Sequence, residues 1–167
     1  MLDVLARAET ALPRLLAEAT WNTLDINYHP PFVERLWTPW EAYRIALHRI
    51  HPCEPADALF HPHPWPSAMR ILDGTYEMAV GHGTGPEPPP IAARIVAAGE
   101  FRYEMTDPDA WHYVRPIGGP AMTVMVTGAP WTRASPGPRE PLQPLDDRRT
   151  AELLAYFRAR YPRGRNR

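Results

Sequence analysis

Two histidines separated by a single residue are the part of this sequence best suited to chemistry. His61 and His63 lie in the segment 59–65, which runs Leu-Phe-His-Pro-His-Pro-Trp. In an extended chain, residues i and i+2 project to the same face, so both imidazoles are expected side by side, where they can bind one metal ion. Neighbouring prolines favour extended dihedrals and limit the entropy lost on binding; they are Pro62, Pro64 and Pro66. The pair therefore predicts a metal site on an extended segment.

The composition removes several competing chemistries. The 167 residues contain 18 basic side chains and all are Arg, which excludes a lysine Schiff base, a phosphate-loop Lys and a Ser–Lys dyad. The single cysteine, Cys53, excludes an internal disulfide and a cysteine zinc finger. Thiolate chemistry at Cys53 has only the nearby His51 to support it. Ser67 and Ser135 lack the surroundings of an activated serine nucleophile. Histidine is the residue type left to organise a reactive centre.

A third histidine extends the pattern. His112 follows a predicted turn in Asp-Pro-Asp-Ala-Trp-His-Tyr-Val, and Gly74 comes eleven residues after His63. This order and spacing resemble the cupin superfamily, whose first motif pairs His-x-His with a downstream Gly and whose second motif supplies a further His. The resemblance covers roughly residues 43–131. It implies an antiparallel β-barrel that holds one metal ion through His61, His63 and His112.

One departure from the cupin pattern bears on the reaction. Many cupins carry a Glu about four to five residues after the second His, whereas Ser67 and Ala68 stand there in this sequence. The site is therefore similar to the three-histidine site of cysteine dioxygenase-type cupins, and the local phrase also resembles small bacterial cupin-like proteins of uncharacterised function. The resemblance implies Fe(II), with substrate and O2 meeting on the metal, and hence a dioxygenase or related oxygenase that acts on a small polar molecule.

Two alternatives use the same three histidines. Zn(II) or Ni(II) also suits imidazole ligands, and either ion would support an isomerase, a lyase or a hydrolase. A non-catalytic cupin that binds a metal or a small molecule is the other alternative.

Four further side chains are candidates for contact with a substrate or for support of the site. Tyr76 lies on a predicted strand; if it faces the barrel interior, its hydroxyl can donate to a substrate, and otherwise it is a core tyrosine. Arg70 and Arg102 also fall in predicted strands, where an inward Arg would clamp a carboxylate in bidentate fashion and an outward Arg would pair at the surface. An interior His48 would be either a supporting acid–base group or a structural histidine.

The elements that must position these residues are two helices and a series of short strands. Apolar spacing predicts a helix over 2–19, kinked or divided at Pro13, and a second over 146–161, capped by Asp146 or Asp147. Residues 21–40 contain three prolines and are expected to be irregular. A proline-rich loop is expected over 135–144, and Asp73-Gly74 predicts a hairpin. Strands are expected at 43–50, 68–72, 75–80, 91–97, 100–105, 111–115 and 122–127.

Together these elements predict an all-β class: a cupin-type antiparallel β-barrel (double-stranded β-helix, or jelly roll) with N-terminal and C-terminal helices packed outside. The length predicts a single domain over 1–167, with an N-terminal segment at 1–41, the barrel at 42–133 and a loop with the C-terminal helix at 134–167. With 18 basic and 19 acidic residues, neither nucleic acid nor a membrane surface is expected as a partner. We expect a cytoplasmic protein with a small-molecule substrate, and the cupin resemblance implies a homodimer.

Overall fold

The computed structural model describes residues 1–132 and 136–163. Ser135, at the start of the predicted proline-rich loop, and the end of the C-terminal tail lie outside the described residues. The elements in chain order are α1 (Leu2–Glu18), β1 (Asn22–Ile26), β2 (Val33–Trp40), β3 (Tyr43–Ile50), β4 (His61–Pro62), β5 (Ser67–Asp73), β6 (Thr75–His82), β7 (Ala93–Ala98), β8 (Arg102–Met105), β9 (Ala110–Pro116), β10 (Ala121–Thr127) and α2 (Asp147–Arg160).

The strands form two antiparallel sheets. The larger sheet has the order β1-β2-β3-β10-β5-β8, and the smaller has the order β4-β9-β6-β7. Ile71 and Ala121 of the larger sheet pack against Tyr76 and Met78 of the smaller, so the two sheets share an apolar interior. Side chains alternate between the two faces of each strand, which sends every second residue into this interior.

Both helices cover the outer face of the larger sheet. The buried stripe of α1, with Leu5, Leu12 and Leu16, joins Leu153 and Phe157 of α2 in one core. The strand residues of this core include Leu36, Ile45, Leu47, Ala68, Leu72, Val124 and Val126. The larger sheet is therefore buried on both faces, and the predicted all-β class with the two helices packed outside is confirmed. No helix within the described ranges is long and apolar enough to cross a membrane.

Two predictions about the N-terminal region differ from the structure, whereas the strands predicted after it agree. Helix α1 continues through Pro13 and is not divided there, since its buried leucine stripe holds both halves on the sheet. The segment expected to be irregular contains β1 and β2, which pair with each other from Asn22↔Trp37 to Ile26↔Val33. The seven predicted strands from residue 43 onward each coincide in most of their length with β3 and with β5 to β10.

The hairpin predicted at Asp73-Gly74 is not formed; the turn there connects a strand of the larger sheet to a strand of the smaller sheet. Strand β5 pairs with β10 and β8, whereas β6 pairs with β7 and β9, so the two strands that flank the turn belong to different sheets. Gly74 has φ +83°, and a Cβ there would lie 2.8 Å from the carbonyl oxygen of Pro120. Glycine is needed because the turn is left-handed and lies against a neighbouring backbone.

Candidate metal centre

Three histidines converge at one end of the interior. Strand β4 pairs with β9 and sets His61 opposite His112, while His63 follows β4 directly. The ring centroids of His63 and His112 are 4.5 Å apart, and that of His61 lies 5.5 Å and 5.2 Å from them. One ring nitrogen from each residue lies within 4.8 Å of the others. Strands β4 and β9, which are far apart in the sequence, thus bring together the three histidines that the sequence motif predicted as a metal site.

Hydrogen bonds orient two of the three rings. Nδ1 of His61 lies 2.8 Å from the carbonyl oxygen of Leu59, so Nδ1 donates and Nε2 carries the lone pair. Nδ1 of His63 lies 2.9 Å from Oγ of Ser67, which can accept in the same way. Nδ1 of His112 is buried and has no hydrogen-bond partner among the described residues. Acceptors on Nδ1 are the usual means of presenting Nε2 to a metal ion.

The separation of two ring nitrogens tests whether an ion fits. Nε2 of His63 lies 2.8 Å from Nε2 of His112. Imidazole nitrogens bound about 2.0–2.1 Å from one ion lie about 2.8–3.0 Å apart at a right angle and about 3.3–3.4 Å apart at the tetrahedral angle. The observed distance fits the right angle. Without a cation one of these nitrogens must donate to the other, whereas with a cation both can offer lone pairs. The donor set fits a divalent transition-metal ion.

Burial keeps these histidines neutral, which is the form that binds metal. Burial lowers the pKa of His61 to about 4, against the opposing hydrogen bond to Leu59. Burial also lowers the pKa of His63 to about 3, with a further contribution from His61, and lowers that of His112 well below its ordinary value. At neutral pH all three rings therefore hold free lone pairs and no positive charge.

The histidines open into a cavity of about 470 Å³. Its walls are mostly apolar and come from both sheets, and they include Ile26, Val33, Ile50, Met69, Val114 and Met125. Tyr28 and residues 136–138 also line it, and the Tyr28 hydroxyl donates to the carbonyl oxygen of Pro136 at 3.4 Å. A cavity of this size and lining suits a small molecule held out of bulk water.

A cation shares this cavity with the histidines. Nε of Arg35 on β2 donates to Nε2 of His48 on β3 at 3.0 Å, so Nδ1 of His48 carries the proton and lies 3.0 Å from Oγ1 of Thr123. Burial lowers the pKa of Arg35 to about 10, with Arg44 contributing, so the guanidinium stays charged at neutral pH. In the described part of the chain, no carboxylate lies within ion-pair distance of Arg35.

Comparison with known proteins gives a structural match only. No protein-family model and no curated protein matches the chain. Among solved structures, the hydroxypropylphosphonic acid epoxidase from S. wedmorenis matches with a TM-score of 0.50 at 13% identity, over 64% of this chain and 55% of that one. A structure of Fe(II)-HppE with the alternative substrate (S)-1-HPP matches with a TM-score of 0.51 at 13% identity over the same shares. The fold is that of a cupin. The chain spans about half the length of these enzymes.

Tyr76 lies inside the cupin barrel but below the cavity. It is fully buried, and its hydroxyl donates to that of Tyr103 at 3.0 Å and lies 3.6 Å from Sδ of Met69. The ring of Tyr103 in turn lies 6.4 Å from that of His112. The prediction of Tyr76 as a substrate contact is corrected on this geometry, because its hydroxyl is used within the core. Met69, by contrast, does line the cavity.

The two arginines predicted as substrate contacts lie on the other side of the sheet. Arg70 pairs with Glu9 of α1 and with Glu100, and Arg102 pairs with Glu9 at 3.4 Å. Arg70 shares its strand face with Ala68 and Leu72, which pack under the helices. Both predictions are therefore corrected: helix α1 supplies the carboxylate that attracts these cations to the outer face.

Sequence reasoning missed Arg35, and it left His48 open between two roles. Arg35 was missed because residues 21–40 were expected to be irregular, so no face was assigned to them. The available signal is strand register: Arg35 stands opposite His48, which stands opposite Thr123 on the next strand. Three polar residues in a row across an otherwise apolar sheet mark a polar line on its inner face. His29 also lines the cavity, with its ring 6.4 Å from that of His61.

Proposed function

We propose that this protein is a mononuclear metal-dependent cupin enzyme, and that it is an Fe(II)-dependent oxygenase acting on a small polar molecule. The observation that carries the proposal is the convergence of His61, His63 and His112 at the wall of one cavity, with two of their Nε2 atoms 2.8 Å apart. The Fe(II) enzyme structures that share the fold support a metal-dependent cupin at this level.

The ligand set suits Fe(II). Three neutral imidazoles, with the nitrogens of His63 and His112 spaced for a right angle, would leave three positions of an octahedron open for a substrate and O2. When bound, Fe(II) supplies the Lewis acidity and the electrons for O2 activation. The chain itself supplies the apolar walls that keep water out, and the hydrogen bonds of Leu59 and Ser67 that hold two rings in place.

A zinc- or nickel-dependent hydrolase, lyase or isomerase on the same ligands would need a general base within hydrogen-bond reach of its substrate. None of the described residues that line the cavity is acidic, so a histidine such as His29 or His48 would have to serve. An oxygenase that activates O2 at the metal does not depend on such a base.

Metal content and oxygen consumption test the proposal. The protein is purified without added metal, its iron is quantified, and oxygen uptake is followed with candidate thiols, amino acids and simple organic acids. We expect iron near one per chain and substrate-dependent uptake. His61→Ala and His112→Ala should lose both, while His51→Ala, whose ring lies against Glu34 and outside the cavity lining, should lose neither.

Two outcomes would go against this function. Protein without any bound transition metal, in which His61→Ala leaves small-molecule binding intact, removes the metal site altogether. Iron bound at one per chain, with no oxygen uptake on any substrate that binds, indicates instead a non-catalytic metal-binding cupin.

A further inference from the structure

The cavity holds a positive charge that has no counter-ion among the described residues. Arg35 lines it together with the three histidines, and no carboxylate among the described residues lies within ion-pair distance of the guanidinium. Arg35 is only partly exposed, and a charge in such a position without a partner is unfavourable, so an anion in the cavity would restore the pairing. The histidines beside it, His48 and the three of the candidate metal centre, cannot do so because an imidazole side chain carries no negative charge.

The guanidinium lines the cavity and is anchored through one of its three nitrogens. Its Nε is occupied by His48, which is fixed in turn by Thr123, and this leaves the two terminal nitrogens without a partner in the described part of the chain. Two parallel N–H groups of a planar guanidinium match the two oxygens of a carboxylate. His48 is therefore a positioning residue for Arg35.

The other residues that line the cavity indicate what the uncharged part of the ligand must be like. No acidic side chain occurs among its described lining residues, so an ammonium group would be buried there without a partner. Ile26, Val33, Ile50 and Val114 offer instead an apolar wall. The volume of about 470 Å³ exceeds what a simple α-amino acid fills and accommodates a branched aliphatic or aromatic group.

We propose that the cavity takes a small organic monoanion with an apolar body and no ammonium group, and that Arg35 binds its charged end. This rests on the proposed function for what then happens to the ligand, but the binding itself needs no reaction. The substrate class is thereby narrowed from small polar molecules to apolar carboxylic acids.

Three matched probes test the assignment by calorimetry at pH 7. 4-Methylpentanoate has the proposed features, 4-methylpentanamide lacks the charge, and leucine is the same acid with an ammonium group added. We expect the acid to bind at least ten-fold more tightly than either of the others, which is the range for hydrogen bonds to a charged group. The titrations use the protein as purified and are repeated after dialysis against a chelator, which separates a carboxylate on Arg35 from one on a metal ion.

Variants assign the effect to Arg35. Arg35→Met should abolish the preference for the acid over the amide, and Arg35→Gln provides a second neutral variant if the first does not fold. Arg35→Lys should keep part of the preference because it keeps the charge. Arg148→Met is the control, since Arg148 is exposed on α2, pairs with Glu152 and lies outside the cavity lining.

The outcomes are separable from those of the oxygenase proposal. The assignment is overturned if acid and amide bind equally, if leucine binds as tightly as the acid, if Arg35→Met retains the preference, or if no acid from butanoate to octanoate binds at millimolar concentration. Absence of iron or of oxygen uptake, with the acid preference and its loss in Arg35→Met intact, refutes the oxygenase and leaves the anion site standing.

Discussion

Removing the Ser67 hydroxyl should weaken metal binding without disturbing the fold. Ser67 lies on β5 with 3% of its surface exposed, and its Oγ is 2.9 Å from Nδ1 of His63. When Nε2 of His63 binds an ion, Nδ1 must carry the proton and donate it. In Ser67→Ala this N–H is buried without an acceptor.

The size of the effect follows from the difference between the two forms of the protein. A buried donor left unsatisfied costs about 1–3 kcal/mol, which corresponds to about 5- to 150-fold in affinity. In the metal-free form His63 can move its proton to Nε2 and donate to His112, which leaves only an unsatisfied acceptor at Nδ1. Most of the cost therefore falls on the metal-bound form. We expect a loss of metal affinity of about 10- to 100-fold, the range seen for partners of this kind.

Competition with a chelating indicator measures this affinity, and Co(II) adds an absorption spectrum that reports coordination number. Thr127→Val is the control, because Thr127 stands directly opposite Ser67 in the sheet, is equally buried, and in the described structure makes no hydrogen bond to the three histidines. The reasoning is refuted if Ser67→Ala binds metal within two-fold of the wild type, or if Thr127→Val loses as much.

Further predictions concern stability. Gly74→Ala should lower the free energy of unfolding by about 2–4 kcal/mol, because Gly74 has a left-handed φ and an added Cβ would clash with backbone. Gly118→Ala should lower it by about 1–2 kcal/mol, because φ is +77° there but the surrounding space is open. Gly119→Ala should change it little. Urea unfolding would contradict this if all three cost the same. Metal-free protein should lose stability as pH falls below about 6.5, because the histidines of the unfolded chain are protonated at a higher pH than the buried ones. For His61 the free energy of unfolding should fall by about 1.4 kcal/mol per pH unit until the pH reaches about 4. A free energy of unfolding that does not change with pH in this range would count against the reasoning. Asp146→Ala removes the cap on the Arg149 amide and should cost about 1 kcal/mol in the same assay.

Most strands could be predicted from residue 43 onward because Gly, Pro and Asp punctuate short apolar runs. Strand β2 could not, for a physical reason: its buried outer face includes a charge. Glu34 is 5% exposed and pairs with Arg49 at 2.9 Å and with Arg149 of α2 at 3.9 Å. Arg35 beside it faces the cavity. With a charge on each face, the alternation of apolar and polar residues that identifies a strand is lost.

The sequence predicted the three histidines of the site better than it predicted how the surrounding strands pair. Spacing of two residues fixes His61 and His63 relative to each other whatever the surrounding register. The turn at Gly74, in contrast, depends on which sheet each flanking strand joins, and that is decided by long-range pairing of β5 with β10 and of β6 with β9. Metal binding by these residues stays a prediction.

The contrast between Arg35 and Arg70 shows why the residues that line the cavity could not be identified from the sequence. Both lie within strands of the larger sheet, and both are cations in largely apolar surroundings. In a sheet with one face exposed to solvent, apolar and polar residues alternate along each strand, and this alternation shows which face each side chain lies on. Here α1 and α2 cover the outer face, so β5 is buried on both sides and its sequence carries no alternation. The available carboxylates distinguish the two arginines: the outer face offers Arg70 the carboxylate of Glu9, and the described residues of the inner face offer Arg35 none. An arginine that the protein does not neutralise is the one available to a ligand.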